Sequence, residues 1–143
     1  MAEAKIINYR TVLIGLVLVV GLALGFRWMS SGDQAASGLP LVEVKVPQLS
    51  DQAKIGEVAY NENCASCHGT NAAGKDGVAP PLVHIIYEPS HHGDAAFRLA
   101  ATKGVRGHHW PFGNMPPVEN ITDQEIVDIV FYVREVQRAN GIN

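Results

Sequence analysis

The chain contains two cysteines, Cys64 and Cys67, and a histidine follows the second directly: Asn63-Cys64-Ala65-Ser66-Cys67-His68-Gly69. At the spacing C-x-x-C-H, two thiols can add to the two vinyl groups of one porphyrin, and the next imidazole falls beneath the iron as an axial ligand. A thioredoxin-like dithiol needs a βαβ context, whereas the surroundings here read as helical and glycine-rich. A structural zinc site needs four ligands, and no second C-x-x-C or H-x-x-x-H spacing exists. A simple disulfide leaves His68 unexplained. The motif therefore predicts one covalently held haem c, with His68 on the metal.

Electron-transfer iron needs a second axial ligand. Outside the N-terminal segment the only methionine is Met115, in Gly113-Asn114-Met115-Pro116-Pro117. A thioether is a neutral ligand that raises the potential, and the two prolines keep a helix from forming there. The plainer alternative is a methionine filling a gap in the core. His84, His91, His92, His108 and His109 compete, and His108 or His109 would give a bis-histidine haem of lower potential. The two His-His pairs also raise a copper or zinc site. Adjacent residues in an irregular loop rarely point at one metal, so surface or packing roles are the default. Trp110, five positions before Met115, either covers the haem edge or donates its indole N–H to a propionate.

Three helices must position these groups. Ser50 is a good N-cap for a first helix to about Asn61, with Ile55, Gly56, Ala59 and Tyr60 on one face. Asp94 is read as the N-cap of a middle helix that presents Phe97, Leu99 and Ala100 and ends at Gly104. Thr122-x-x-Glu125 is a capping box opening the last helix, and Ile126, Ile129, Val130 and Val133 recur at helical spacing to about Arg138. Gly69 to Gly77 reads as a polar loop leading to Pro80-Pro81-Leu82. No repeat or substantial strand pattern is present.

The chain has 143 residues, one domain with appendages. From Leu41 to Asn143 twelve acids face eight Lys and Arg, which leaves no footprint for nucleic acid. A domain of this size buries limited apolar surface by itself, so an apolar haem is expected to complete the core.

Thr11 to Phe26 carries no charge. A helix from Tyr9 to Met29 would be about 31 Å long, matching a bilayer core. Tyr9 and Trp28 flank the run, and Lys5 and Arg10 favour a cytoplasmic N-terminus. A cleaved signal peptide is the alternative, but no clean A-x-A follows and the apolar run is slightly long. Residues 1–29 are thus read as a single N-terminal transmembrane anchor. Residues 30–49 read as a linker rich in Ser, Gly and Pro, in which Leu41 to Val46 alternates and forms a short strand, a brace on the domain or a docking strip. Residues 50–143 form the haem domain.

From Ser50 to Asn143 the pattern resembles a class I c-type cytochrome. Cys64-x-x-Cys67-His68-Gly69 matches its haem site. Gly56-x-x-x-Tyr60 is similar to the family's glycine–aromatic pair in the first helix, and Ile129-x-x-Tyr132 resembles its counterpart in the last. The resemblance implies an all-α cytochrome c fold, three main helices around one haem, with the first and last crossing closely at Gly56. Pro80-x-Leu82 resembles the loop whose proline carbonyl accepts the Nδ1–H of the ligating histidine. Met115-Pro116 resembles the loop of the sixth ligand. Between the ligands, Tyr87-Glu88-Pro89, His91-His92-Gly93-Asp94 and His108-His109-Trp110 are similar to bacterial membrane-anchored monohaem cytochromes.

The implied protein is a single-electron carrier of a bacterial respiratory or photosynthetic chain and not an enzyme. Its haem domain would lie in the periplasm on the inner membrane. The implied partners are a quinol–cytochrome c reductase and a terminal oxidase or periplasmic reductase. The alternatives are a haem-c subunit fixed in a larger membrane oxidoreductase and a haem-based sensor. A peroxidase would need a second haem motif. The lysine-rich ring that steers mitochondrial relatives to acidic partners is missing.

Overall fold

The structure is a computed structural model that describes residues 9–29 and 37–143. It divides into an N-terminal unit and a second unit that begins at Ala36. In the first, Tyr9–Met29 is one helix of 21 residues, α1. Its described side chains, at positions 13–23, are all exposed. That stretch spans eleven positions, and no helix is long and apolar enough over the described residues to cross a membrane. The flanking side chains of Lys5, Tyr9, Arg10 and Trp28 lie outside the described residues, as do positions 30–36 of the linker.

The second unit holds α2 (Asp51–Asn63), the single turn α3 (Ala65–His68), α4 (Asp94–Lys103) and α5 (Asp123–Ala139). Ser50 caps α2 by accepting from the Ala53 N–H. The Thr122–Glu125 capping box closes in both directions at the start of α5. Gly93, and not Asp94, caps α4. Asp94 is the first helical residue, and its carboxylate instead accepts from Arg134 Nε at 2.8 Å.

The core forms where α2 and α5 cross. A Cβ built on Gly56 would lie 1.9 Å from the Asp128 carbonyl oxygen and 2.8 Å from Tyr132 Cβ, so only glycine permits this approach. Tyr60, Tyr132, Val133 and Val136 are fully buried beside it, with the two tyrosine rings tilted 48° at 5.4 Å. Ile126, Ile129, Val130 and Val133 all face inward, as their spacing demands. One reading of an apolar face needs correction. Ile55 is 60 % exposed, and Ala53 takes the buried place on α2. On α4, Phe97 and Ala100 are half-buried and Leu99 is mostly exposed, and all three line one apolar cavity.

Residues 37–49 do not form a strand; they lie extended on the domain. Leu41 and Val42 N–H both donate to the Ala73 carbonyl. Lys45 exchanges two hydrogen bonds with the Asn140 carboxamide, at 2.9 and 2.8 Å. Val44 and Leu49 pack against the core, so this segment acts as a brace.

Candidate functional site

Cys64 ends α2 and opens α3, whose one turn carries Cys67 and His68. The Cys64 N–H donates to the Tyr60 carbonyl, and the His68 N–H to the Cys64 carbonyl, each at 2.8 Å. Successive helical bonds thus hold both thiols and the imidazole in one register. Gly69 then breaks the helix with φ 75° and ψ 164°. A Cβ there would meet the Gly74 carbonyl oxygen at 2.2 Å, because the chain folds straight back and the Gly74 N–H donates to the His68 carbonyl at 2.7 Å. The buried Tyr60 hydroxyl donates to the Gly69 carbonyl at 2.9 Å, tying α2 to the turn. Burial is the main cause of a strongly raised Tyr60 pKa, so the phenol stays neutral.

The returning loop brings Pro80 to His68. The Leu82 N–H donates to the Ala72 carbonyl, and the His68 Nδ1–H donates to the Pro80 carbonyl at 2.9 Å. A carbonyl can only accept, so this bond fixes the tautomer and leaves Nε2 with its lone pair. Burial pushes the His68 imidazole below its ordinary range, outweighing the opposing effect of the Pro80 bond. The ring is therefore neutral at neutral pH, the form that ligates a metal. Burial, and then the neighbouring Cys67, push the free thiol of Cys64 up to about 11. That sulfur stands for a thioether once haem is attached.

These groups open into a cavity of about 390 Å³, within the size range of cofactor pockets. All seven residues singled out in the sequence lie on its wall: Cys64, Cys67 and His68, then Pro80 and Leu82, then Trp110 and Met115. The rest of the wall is mainly apolar, with Phe97 and Ala100 from α4 and Ile126, Ile129 and Val130 from α5. Met115 is pinned by its backbone. Its N–H donates to the Val105 carbonyl and its carbonyl accepts from the Val105 N–H, both at 2.9 Å. The indole Nε1 of Trp110 is buried with no hydrogen-bond partner among the described residues. The ring meets His84 edge-on at 5.0 Å and stacks on Phe112 at 6.0 Å.

Haem c fits this donor set. It is apolar where the wall is apolar, it takes two thiols and the Nε2 of His68, and its propionates would offer an acceptor to the orphaned Trp110 N–H.

Two residues that hold the site were not foreseen. Gln137 is fully buried; its Nε2 donates to the Leu82 carbonyl at 2.7 Å and the Tyr87 carbonyl at 3.1 Å. Arg134, 7 % exposed, donates to Asp94, to the Tyr87 and His92 carbonyls and to Gln137 Oε1. Together they lash the loop between Leu82 and His92 to α5. Their signal is positional: Gln137 follows Val130 and Val133 on the apolar stripe of α5.

The Cytochrome c family model matches residues 53–137. The chain is 30 % identical over 113 residues to cytochrome c550 of Pseudomonas aeruginosa, an alignment covering 68 % of this chain and 76 % of that protein. The attachment motif, the imidazole seated on the Pro80 carbonyl and these matches agree: the chain belongs to the cytochrome c family, which implies covalently bound haem c, and Cys64, Cys67 and His68 fit its C-x-x-C-H motif.

Proposed function

We propose that this protein is a single-electron carrier with His68 and Met115 as axial ligands, tethered by α1 to a bacterial inner membrane with its haem domain in the periplasm. The observation that carries the ligand pair is that both residues wall one apolar cavity, the His68 ring held by the Pro80 carbonyl and the Met115 backbone by its paired bonds to Val105. When bound, haem c supplies a one-electron couple. The chain's contribution is rigidity and exclusion of water. Cys64 and Cys67 fix the porphyrin covalently, Pro80 keeps His68 in one orientation, and Val105 keeps Met115 from swinging away. A ligand set that does not rearrange between oxidation states lets an electron pass with little reorganisation.

The tether reading is supported by the uncharged run from Thr11 to Phe26 and by the 21-residue length of α1. The partners that suit such a carrier are a quinol–cytochrome c reductase as donor and a terminal oxidase or periplasmic reductase as acceptor.

Replacement of Met115 by Ala tests the ligand pair. The ferric protein should lose the weak long-wavelength band of iron–thioether bonding, and its potential should fall. An unchanged spectrum would overturn the assignment and hand the sixth position to a histidine. The tether is tested by fractionation after a high-salt wash: the protein should stay with membranes, and release into the soluble fraction would overturn it.

A further inference from the structure

The fold brings together two histidine pairs that stand far apart in the sequence. Rings of His91 and His109 lie 5.6 Å apart, and those of His92 and His109 5.5 Å apart. His108 packs on His109 at 4.1 Å. One ligating atom from each of His91, His92 and His109 lies within 4.8 Å of the others. Adjacent side chains were expected to diverge. Here both members of the first pair converge on a member of the second.

Two of the rings are also set in one tautomer. The His92 Nδ1–H donates to the Ile86 carbonyl at 2.6 Å, and the His108 Nδ1–H to the Arg106 carbonyl at 2.9 Å. Each leaves Nε2 with a free lone pair, the outer-shell arrangement typical of metal-bound histidines. The His92 backbone is itself fixed, because its carbonyl accepts from Arg134.

We propose that His91, His92 and His109 form a mononuclear site for a borderline divalent transition-metal ion, of the Zn²⁺ and Cu²⁺ class, at the rim of the haem cavity. Three imidazoles without a carboxylate suit these ions and not Ca²⁺ or Mg²⁺, which take oxygen. Tetrahedral Zn–N bonds of about 2.0–2.1 Å put ligand atoms roughly 3.3 Å apart. From the observed spread, side-chain rotation of the exposed His91 and His109 closes the difference while His92 stays fixed. The fourth position is open to water or to His108. His92 and His109 also wall the haem cavity, so the ion would sit beside the prosthetic group and not on its iron.

The test is calorimetric titration of the ferric haem-loaded protein with Zn²⁺, a redox-silent probe that leaves the iron's oxidation state alone. One equivalent should bind with a Kd of about 1 µM or tighter. His91→Ala and His109→Ala should each weaken binding by at least about tenfold, the lower figure for disturbing even an outer-shell partner. An absence of saturable one-to-one binding, or unchanged affinity in both variants, would overturn the site. A shift of the haem absorption bands in His109→Ala without added metal would assign His109 to the iron and also overturn it. The Met115 measurement reads the iron ligand alone, so the two proposals fail separately.

Discussion

The α carbon of Gly56 and the carbonyl of Asp128 approach so closely that a Cβ on Gly56 would fall 1.9 Å from the carbonyl oxygen. The obstacle is backbone, which cannot rotate aside as a flexible side chain would. Overpacking of this kind costs about 3 kcal/mol, and the better helix propensity of alanine returns about 1 kcal/mol. Gly56→Ala should therefore destabilise the haem-loaded domain by about 2 kcal/mol and lower its Tm by roughly 8–16 °C. Thermal unfolding followed at the haem absorption bands checks this, and an unchanged Tm would mean the helices do not cross at Gly56.

Glu125 gives a pH-dependent contribution. The Thr122 hydroxyl and then the Thr122 N–H bond its carboxylate and hold its pKa below the ordinary value. A carboxyl depressed in the folded state stabilises above its unfolded pKa, about 4.3, and loses that contribution as pH falls through the native value. Wild type should thus be more stable than Glu125→Gln near neutrality, and the gap should close below about pH 4. Denaturant unfolding of both proteins across this range measures it; a gap that widens on acidification would contradict the capping box.

Removal of the haem should leave little fold. At about 24 cal/mol per Å³, an apolar cavity of 390 Å³ corresponds to roughly 9 kcal/mol. That is an upper figure, since the cavity opens partly to solvent, yet it rivals the whole stability of a small domain, about 5–15 kcal/mol. The double variant Cys64→Ala/Cys67→Ala, which cannot attach haem, should lose its near-UV circular dichroism and its cooperative thermal transition. A sharp transition near the wild-type Tm would show that the protein core suffices alone.

The local parts of this architecture were legible because local rules set them. The Thr122–Glu125 box, the inward stripe of Ile126, Ile129, Val130 and Val133, and the Cys64–His68 spacing all depend on residues within a few positions of each other. What escaped depends on distant backbone. Arg134 and Gln137 are polar and would ordinarily face water. They are buried because unpaired carbonyls of Leu82, Tyr87 and His92, 42 to 55 residues away, need donors. The same Arg134 engages the Asp94 carboxylate, which leaves the cap of α4 to Gly93. The convergence of His91 and His92 with His109 is likewise tertiary.

The cap of α2 reaches across the domain as well. The Ser50 N–H and hydroxyl both donate to the Glu135 carboxylate at 2.8 Å, over a separation of 85 residues. The helix leading into Cys64 thus takes its starting contact, and at Gly56 its packing partner, from α5, which is made well after it. During synthesis the cysteines emerge long before either support exists, while both thiols are still in water and reactive. Once α5 docks, Cys64 is half-buried and its thiol is harder to ionise. Because little fold is expected without haem, docking of α5 and occupation of the cavity should come together, and together they close off the Cys64 sulfur.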